Sequence, residues 1–109
     1  MKIIRLADVA VEHSPAGADE VVSGAPTLGT TPITTLGDTE VEVGVWEMSV
    51  GAVRDVEVDE VFLVLAGAAT ITVDGGAPVA IAVGDLVRLD AGTKTVWEVS
   101  APLRKLYVA

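Results

Sequence analysis

The chain has 109 residues, a net charge of −9 and no cysteine. This length suits one domain with a single hydrophobic core, and the lack of cysteine excludes disulfides and thiol catalysis. The acidic balance disfavours anionic partners, so we expect neither nucleic-acid binding nor attachment to an anionic membrane. No apolar run reaches the roughly 18 residues that a membrane-spanning helix requires. These limits predict a folded, cytoplasmic protein.

Residues 1–38 are predicted to form an N-terminal strand followed by an extended arm. The opening apolar patch is interrupted by Arg5 and Asp8, which favours a first strand over a signal peptide. Residues 12–38 are punctuated by glycine and proline without a sustained period, as is typical of turns. A loop this long is unusual inside a domain. We therefore expect the arm to lie over the domain or against a second subunit, with short strands near residues 33–36, and a flexible arm is the alternative.

Residues 39–109 are predicted to form the β-barrel core of the same single domain. Valine alternates with other residues over positions 41–45, a period that indicates a half-buried strand, and a phase shift at residues 44–46 predicts a bulge. An apolar run at residues 61–65 predicts a strand covered on both faces. Asp74, Gly75 and Gly76 predict a hairpin turn, and residues 100–102 predict another. Eight or nine short strands without a capped helix favour an all-β barrel or sandwich of jelly-roll type.

Half of the acidic residues lie between residues 38 and 60, where Arg54 is the only base. A solvated sheet face explains this pattern, and we interpret the alternating Asp55, Glu57 and Asp59 in that way. The functional alternative is a cationic or amine-bearing ligand, or a metal held by carboxylates. His13, the only histidine, is a poor basis for a metal site because zinc needs three or four protein ligands.

Two motifs in the strand region resemble those of cupins. The first cupin motif runs from a glycine through a histidine pair to a glutamate and a second glycine; here Gly51 opens it, and Glu60 and Gly67 keep the spacing of its second half. The second motif is opened by Gly84, and Gly92 stands at its internal glycine. The resemblance implies an all-β cupin-type jelly-roll barrel.

The metal-binding histidines of those motifs are absent. Arg54 and Val56, or Val53 and Asp55, occupy the first histidine pair, and Thr95 replaces the later histidine. This departure from the family pattern predicts a barrel without a metal cofactor, and we expect no cofactor of another kind.

A closer resemblance, over residues 45–109, is to the cupins of (S)-ureidoglycine aminohydrolase and of ethanolamine utilisation. Both share a series of short motifs with this chain. In this sequence the motifs read Asp59-Glu60, Leu65-Ala66-Gly67, Gly84-Asp85, Gly92, Thr95-Val96-Trp97-Glu98 and Arg104-Lys105-Leu106-Tyr107-Val108. The resemblance is specific for the fold and weak for the reaction, because cupins have many functions.

Glu60 is the main candidate for a catalytic group. It is the one ligand position of the cupin motif that is retained, and strand alternation directs it into the barrel if no bulge intervenes. A carboxylate there must be paired or protonated, which suits a general base. Arg54 is a second catalytic candidate because it falls on the same side, where it would keep Glu60 ionised. A purely structural ion pair is the alternative.

Five further residues are predicted to contact a ligand. Trp46 and Trp97 are suited to the mouth of a pocket, where they would stack on a ligand, although such residues are often core. Phe62 alternates in phase with Glu60, and Thr95 would donate a hydrogen bond from its motif position. Tyr107 would place a phenol near the cavity, but for this residue and for Lys105 we favour a simple edge strand.

The sequence therefore predicts a cupin that binds a small polar metabolite in its barrel, and a homodimer is the expected assembly. The alternative is an enzyme of isomerase, epimerase or ureido or amine hydrolase type that uses Glu60 as its acid–base group.

Overall fold

The computed structural model describes all 109 residues. They form one curled antiparallel sheet of nine strands, a single turn of 3-10 helix and the segments that connect them. The helix spans Leu6–Asp8. The strands are β1 (Ser14–Pro15), β2 (Val21–Ser23), β3 (Thr27–Thr35), β4 (Glu42–Met48), β5 (Gly51–Val56), β6 (Glu60–Val73), β7 (Val79–Ala82), β8 (Leu86–Leu89) and β9 (Lys94–Val108). This architecture confirms the predicted all-β cupin-type fold. Its one helix has three residues, which is too short to span a membrane.

Strand β9 organises the sheet because it pairs with three other strands. Its first half pairs with β5 from Lys94 to Val99, and its second half pairs with β4 from Leu103 to Val108. Along its length it also pairs with β6, which carries β7 and β8 on its other edge. Strand β9 is therefore central, and the predicted edge strand at Lys105 and Tyr107 is wrong.

Strands β6 and β9 are the longest of the sheet, with 14 and 15 residues. The expected turn at residues 100–102 is wrong, since β9 runs through it. The irregularity appears instead as register shifts between β6 and β9 around Ala66 and Ala68. Gly67 lies there with a φ of 87°, and a Cβ at this position would lie 2.1 Å from the carbonyl oxygen of Pro102. Only glycine permits this close approach.

The N-terminal region differs from its prediction in one respect. No strand forms before Ser14, because residues 1–5 lack regular structure and precede the 3-10 helix. The expected first strand is therefore wrong. Beyond it, β3 pairs with β4, β1 pairs with β3, and β2 pairs with β5, so the arm contributes strands to the sheet.

The pairing of the strands shows where the predicted bulge and the predicted hairpin turn lie. The bulge predicted at residues 44–46 is absent from β4, which pairs without interruption with β9. It lies in the neighbouring β3, between Pro32 and Thr34. The predicted turn at Asp74 and Gly75 is confirmed, with φ of 47° and 74° and a 2.9 Å hydrogen bond from Gly76 N–H to Val73 O, as in a type I′ turn.

The hydrophobic core fills the space inside the curled sheet. Its side chains come from the inward positions of β4 to β9, with Phe62, Met48 and Leu103 among those fully buried. The core borders a cavity, since Val53, Trp97 and Tyr107 belong both to the core and to the cavity wall.

Candidate functional site

A cavity of about 440 Å³ opens into the sheet between β3, β4, β5 and β9. Five of the seven predicted site residues line it: Trp46, Arg54, Glu60, Trp97 and Tyr107. A cavity of this size accommodates a small metabolite.

Lys105 lies at the floor of the cavity, and its ammonium group is enclosed on several sides. Its Nζ donates a 2.7 Å hydrogen bond to Glu60 Oε2, and the two side chains are only 6% and 11% exposed. Three aromatic rings surround the same nitrogen, with centroids at 4.7 Å for Trp46, 4.4 Å for Phe62 and 4.8 Å for Trp97. We call these three rings the aromatic cage. Each contact lies within the range of cation–π attraction.

The alternation of β9 directs Lys105 into the barrel. Leu103, Lys105 and Tyr107 are all buried, whereas Arg104 lies on the other side of the sheet. At this point β9 is hydrogen-bonded to β4 along one edge and to β6 along the other. Glu60, at the start of β6, pairs with Lys105, so the predicted pairing of Glu60 with Arg54 is wrong.

Tyr107 lies beside the Lys105–Glu60 pair and is held by a second carboxylate. Its hydroxyl donates a 2.7 Å hydrogen bond to Glu42 Oε2. The ring packs over Gly44, where a Cβ would lie 2.3 Å from the phenol oxygen, so a residue without a side chain is needed there. Burial raises the pKa of Tyr107, and the bond to Glu42 and the charges of Glu42 and Glu60 raise it further. Tyr107 therefore remains a neutral hydrogen-bond donor.

Thr95 does not face the cavity as the motif position predicted. It is buried, and its hydroxyl donates a 2.7 Å hydrogen bond to Glu57 Oε1. Trp97 Nε1 donates to the same oxygen at 3.1 Å. Glu57 is itself buried, so its assignment to a solvated face is wrong. These bonds fix the orientation of the Trp97 ring that forms part of the aromatic cage.

The mouth of the cavity carries charge that is not neutralised. Arg54 is exposed on β5 and forms no ion pair, although it lines the cavity. Its neighbour Asp55 has a raised pKa, caused first by burial and then by the charge of Glu57. The second of these causes, the Glu57 carboxylate, places a further negative charge close to Asp55.

The residues inside the barrel do not fit the metal that cupin histidines would hold. Nowhere in the chain do three or more His, Cys, Asp or Glu side chains come together as a metal site requires. Glu60, the retained ligand position, already accepts from the Lys105 ammonium. A dication beside that ammonium would meet a like charge, so the interior is built around a cationic side chain instead.

Several residues of the site were missed by the sequence analysis. Lys105 was assigned to an edge strand, and Glu57 to solvent. The signal for Lys105 is its alternation with Leu103 and Tyr107, which places it among inward positions. The signal for Glu57 is weaker, because β5 ends at Val56 and the alternation stops one residue before it.

The EutQ-like cupin domain matches residues 36–107, which include β4 to β8, most of β9 and most of the residues that line the cavity. The chain belongs to the EutQ-like cupin family. The resemblance to ethanolamine-utilisation cupins is thereby confirmed, whereas nothing in the comparison specifically supports the ureidoglycine aminohydrolase branch.

Solved structures of other cupins resemble this one over most of the chain. The EutQ protein of Clostridium difficile is 25% identical with a TM-score of 0.74, over 97% of this chain and 83% of that one. A DUF861 family protein of Thermotoga maritima is 31% identical with a TM-score of 0.55, over 58% and 73%. A putative ethanolamine utilization protein of Salmonella typhimurium is 18% identical with a TM-score of 0.66, over 93% and 97%, and this last likeness supports the fold alone. No curated protein matches the chain.

Proposed function

We propose that this cupin binds a small polar metabolite in its barrel cavity, and that it prefers cationic or amine-bearing compounds to anionic ones. The observation that carries the proposal is the charge of the cavity wall. Five carboxylates line the cavity against two bases. The carboxylates belong to Glu20, Glu42, Asp55, Glu57 and Glu60, and the bases are Arg54 and Lys105.

The bases leave much of this negative charge available to a ligand. Lys105 is committed to Glu60, and Arg54 is exposed to solvent. A ligand ammonium would lower the repulsion between Asp55 and Glu57, while an anionic ligand would increase it. The partly buried face of Trp46 offers an apolar surface for the ligand's carbon atoms.

The experiment compares three compounds of similar size and different charge. Ethanolamine, ethylene glycol and glycolate are titrated into the protein by calorimetry at low salt, after native mass spectrometry and elemental analysis of untagged protein. We expect the affinity to fall in that order. Asp55→Asn, which removes one charge from the mouth, should weaken the binding of ethanolamine and leave ethylene glycol unaffected. Equal affinity for all three, or stronger binding of glycolate, contradicts the proposal.

The same native mass spectra report on assembly, and we propose a homodimer. Strands β7 and β8 each pair only with β6, so each has a free edge. Three large apolar residues beside these edges, Val79, Val83 and Leu86, are exposed. Free strand edges flanked by apolar side chains favour pairing with another chain. We also propose, from the composition alone, that the protein is cytoplasmic.

The second candidate function is an enzyme that uses Glu60 as an acid–base group. The short hydrogen bond between Glu60 and Lys105 at the floor of the cavity favours it, because the carboxylate has a proton donor within direct reach. Turnover that Glu60→Gln abolishes, with ligand affinity retained within roughly tenfold, is the result expected of the enzyme.

A further inference from the structure

The chain has three lysines, and they lie in different environments. Lys2 and Lys94 are exposed, whereas Lys105 is buried and lines the cavity. A buried lysine in an apolar pocket is a common form of amine nucleophile in proteins.

A lysine nucleophile needs a partner that can take its proton and return it. Glu60 Oε2 lies 2.7 Å from Lys105 Nζ, which is within the distance for direct proton transfer. The aromatic cage holds the nitrogen in position from several sides, so the Lys105 side chain does not have to be ordered when a ligand arrives.

We propose that Lys105 forms a Schiff base with a small aldehyde or ketone that enters the cavity, and that Glu60 carries the protons. This inference rests on the proposed ligand cavity, and it adds that the ligand carries a carbonyl group next to Lys105. The reaction class is reversible imine formation, which in other proteins is the first step of chemistry on carbonyl compounds.

The step balances without any further reactant. Glu60 takes a proton from the ammonium, and the lone pair of the freed amine attacks the carbonyl carbon to form a C–N bond. The π electrons of the carbonyl move to its oxygen, which takes the proton from Glu60, while the nitrogen gives a second proton to Glu60. Glu60 then protonates the hydroxyl, the C–O bond breaks, and water leaves as the nitrogen lone pair forms the C=N bond. Of the three ammonium protons, two leave with the water and one remains on the iminium nitrogen.

The aromatic cage favours the product as much as the starting state. The ammonium and the protonated Schiff base each carry one positive charge on the same nitrogen. Glu60 and the three rings therefore stabilise a cation both before and after the reaction. The electrostatic cost is confined to the short-lived neutral amine, where the 2.7 Å contact with Glu60 supplies the base.

The charge of the cavity wall limits the carbonyl compounds that react. Four carboxylates besides Glu60 line the cavity, namely Glu20, Glu42, Asp55 and Glu57. A neutral ketone enters without repulsion, whereas a keto acid meets like charges. We therefore expect hydroxyacetone to react more readily than pyruvate.

The experiment traps the Schiff base by reduction. The full-length protein is incubated at neutral pH with hydroxyacetone and sodium cyanoborohydride, and intact mass and peptide mapping identify the modified amine at successive times. We expect Lys105 to be modified ahead of Lys2 and Lys94, and pyruvate to give less product at equal concentration. An unmodified Lys105 at times when Lys2 and Lys94 carry adducts overturns the inference.

Two variants make the result specific. In the double variant Lys2→Arg and Lys94→Arg, Lys105 is the only remaining lysine and its surroundings are unchanged, so adduct formation on a side chain should persist. Glu60→Gln should slow trapping at Lys105 by about 10²-fold or more, and a rate within twofold of the wild type contradicts the role given to Glu60. Circular dichroism establishes that each variant is folded before it is tested.

The inference and the proposed function fail separately. Binding of ethanolamine without any adduct at Lys105 overturns the Schiff base and leaves the ligand cavity. An adduct at Lys105 without a preference for amines overturns the charge selectivity and leaves the nucleophile.

Discussion

Two neighbouring residues of β9, Arg104 and Lys105, make short ion pairs on opposite sides of the sheet. Lys105 pairs with Glu60 at 2.7 Å inside the barrel, and Arg104 pairs with Glu47 at 2.6 Å outside it. The side chains of the inner pair are 6% and 11% exposed, and those of the outer pair are 20% and 24% exposed. Strand β9 thus supplies one cation to the cavity and a second cation to the outer surface.

The two cations have different surroundings and therefore different roles. Lys105 is surrounded by the aromatic cage. Arg104 donates to the backbone carbonyls of Leu6 and Val9 at 2.7 Å and 2.9 Å, and His13 bonds the second oxygen of Glu47 at 2.8 Å. The outer pair fastens the N-terminal segment to the sheet, while the inner pair forms the floor of the cavity.

The largest expected effect comes from breaking the inner pair. Lys105→Met leaves Glu60 without a partner in a nearly closed site, and a carboxylate in that state costs about 3–5 kcal/mol of stability. The double variant Lys105→Met and Glu60→Gln replaces the ion pair by neutral groups and should recover most of that loss. Urea unfolding of the wild type, both single variants and the double variant measures the coupling between the two residues. Additive losses contradict a direct pairing.

The matched change on the outer face should have a smaller effect. Arg104→Met removes hydrogen bonds from a charged donor, each worth about 1.5–3 kcal/mol where it is shielded, but water can replace the donor at Glu47. We expect the loss of global stability to stay below that of Lys105→Met. Limited proteolysis should then cut within residues 1–13 faster than in the wild type. Unchanged cleavage there would show that Arg104 does not hold the N-terminal segment.

The smallest expected effect is on the pH dependence of stability, to which two carboxyl groups contribute in opposite directions. Burial alone would raise the pKa of Glu47, but the hydrogen bonds and charges of His13 and Arg104 lower it below its ordinary value of 4.5. A lowered pKa in the folded state gives stability that is present above the ordinary value and is lost as the pH falls through the folded value. Glu47→Gln should therefore make the decline of stability below about pH 4.5 less steep.

Asp55 provides the control because its pKa is raised, first by burial and then by Glu57. Its ionised form is disfavoured by folding, so protonation of Asp55 regains stability as the pH falls. Asp55→Asn should make the acid decline steeper, in contrast to Glu47→Gln. Urea midpoints measured from about pH 3 to about pH 7, a range that brackets the usual carboxyl pKa values of about 4, distinguish the two. A shift in the same direction for both variants would be incompatible with these pKa changes.

Much of the fold could be predicted from the sequence because the signals are local. Strand alternation, the Asp74-Gly75 turn and the spacing of Glu60 and Gly67 depend on a few neighbouring residues. The position of β9 at the centre of the sheet depends on which strands it meets across the barrel, and no local pattern carries that information. The bulge was displaced to β3 for the same reason, since either of two paired strands can absorb an extra residue.

The site was predicted in part because its residues come from several strands. Trp46, Trp97, Glu60, Arg54 and Tyr107 do line the cavity. The predicted partner of Glu60 was wrong because Arg54 is close to Glu60 in sequence, whereas the observed partner, Lys105, is 45 residues away. Thr95 occupies the expected motif position, but its hydroxyl donates a hydrogen bond to Glu57. That contact depends on where β5 ends.

The central position of β9 has a consequence for the order in which the protein folds. Strands β4, β5 and β6 all complete their hydrogen bonding on β9, which is synthesised after every one of them. Until Val108 has left the ribosome, those strands expose unpaired edges and the aromatic cage lacks its cation. Long-range pairing of this kind makes folding slow, and the net charge of −9 opposes association between chains that have not yet folded.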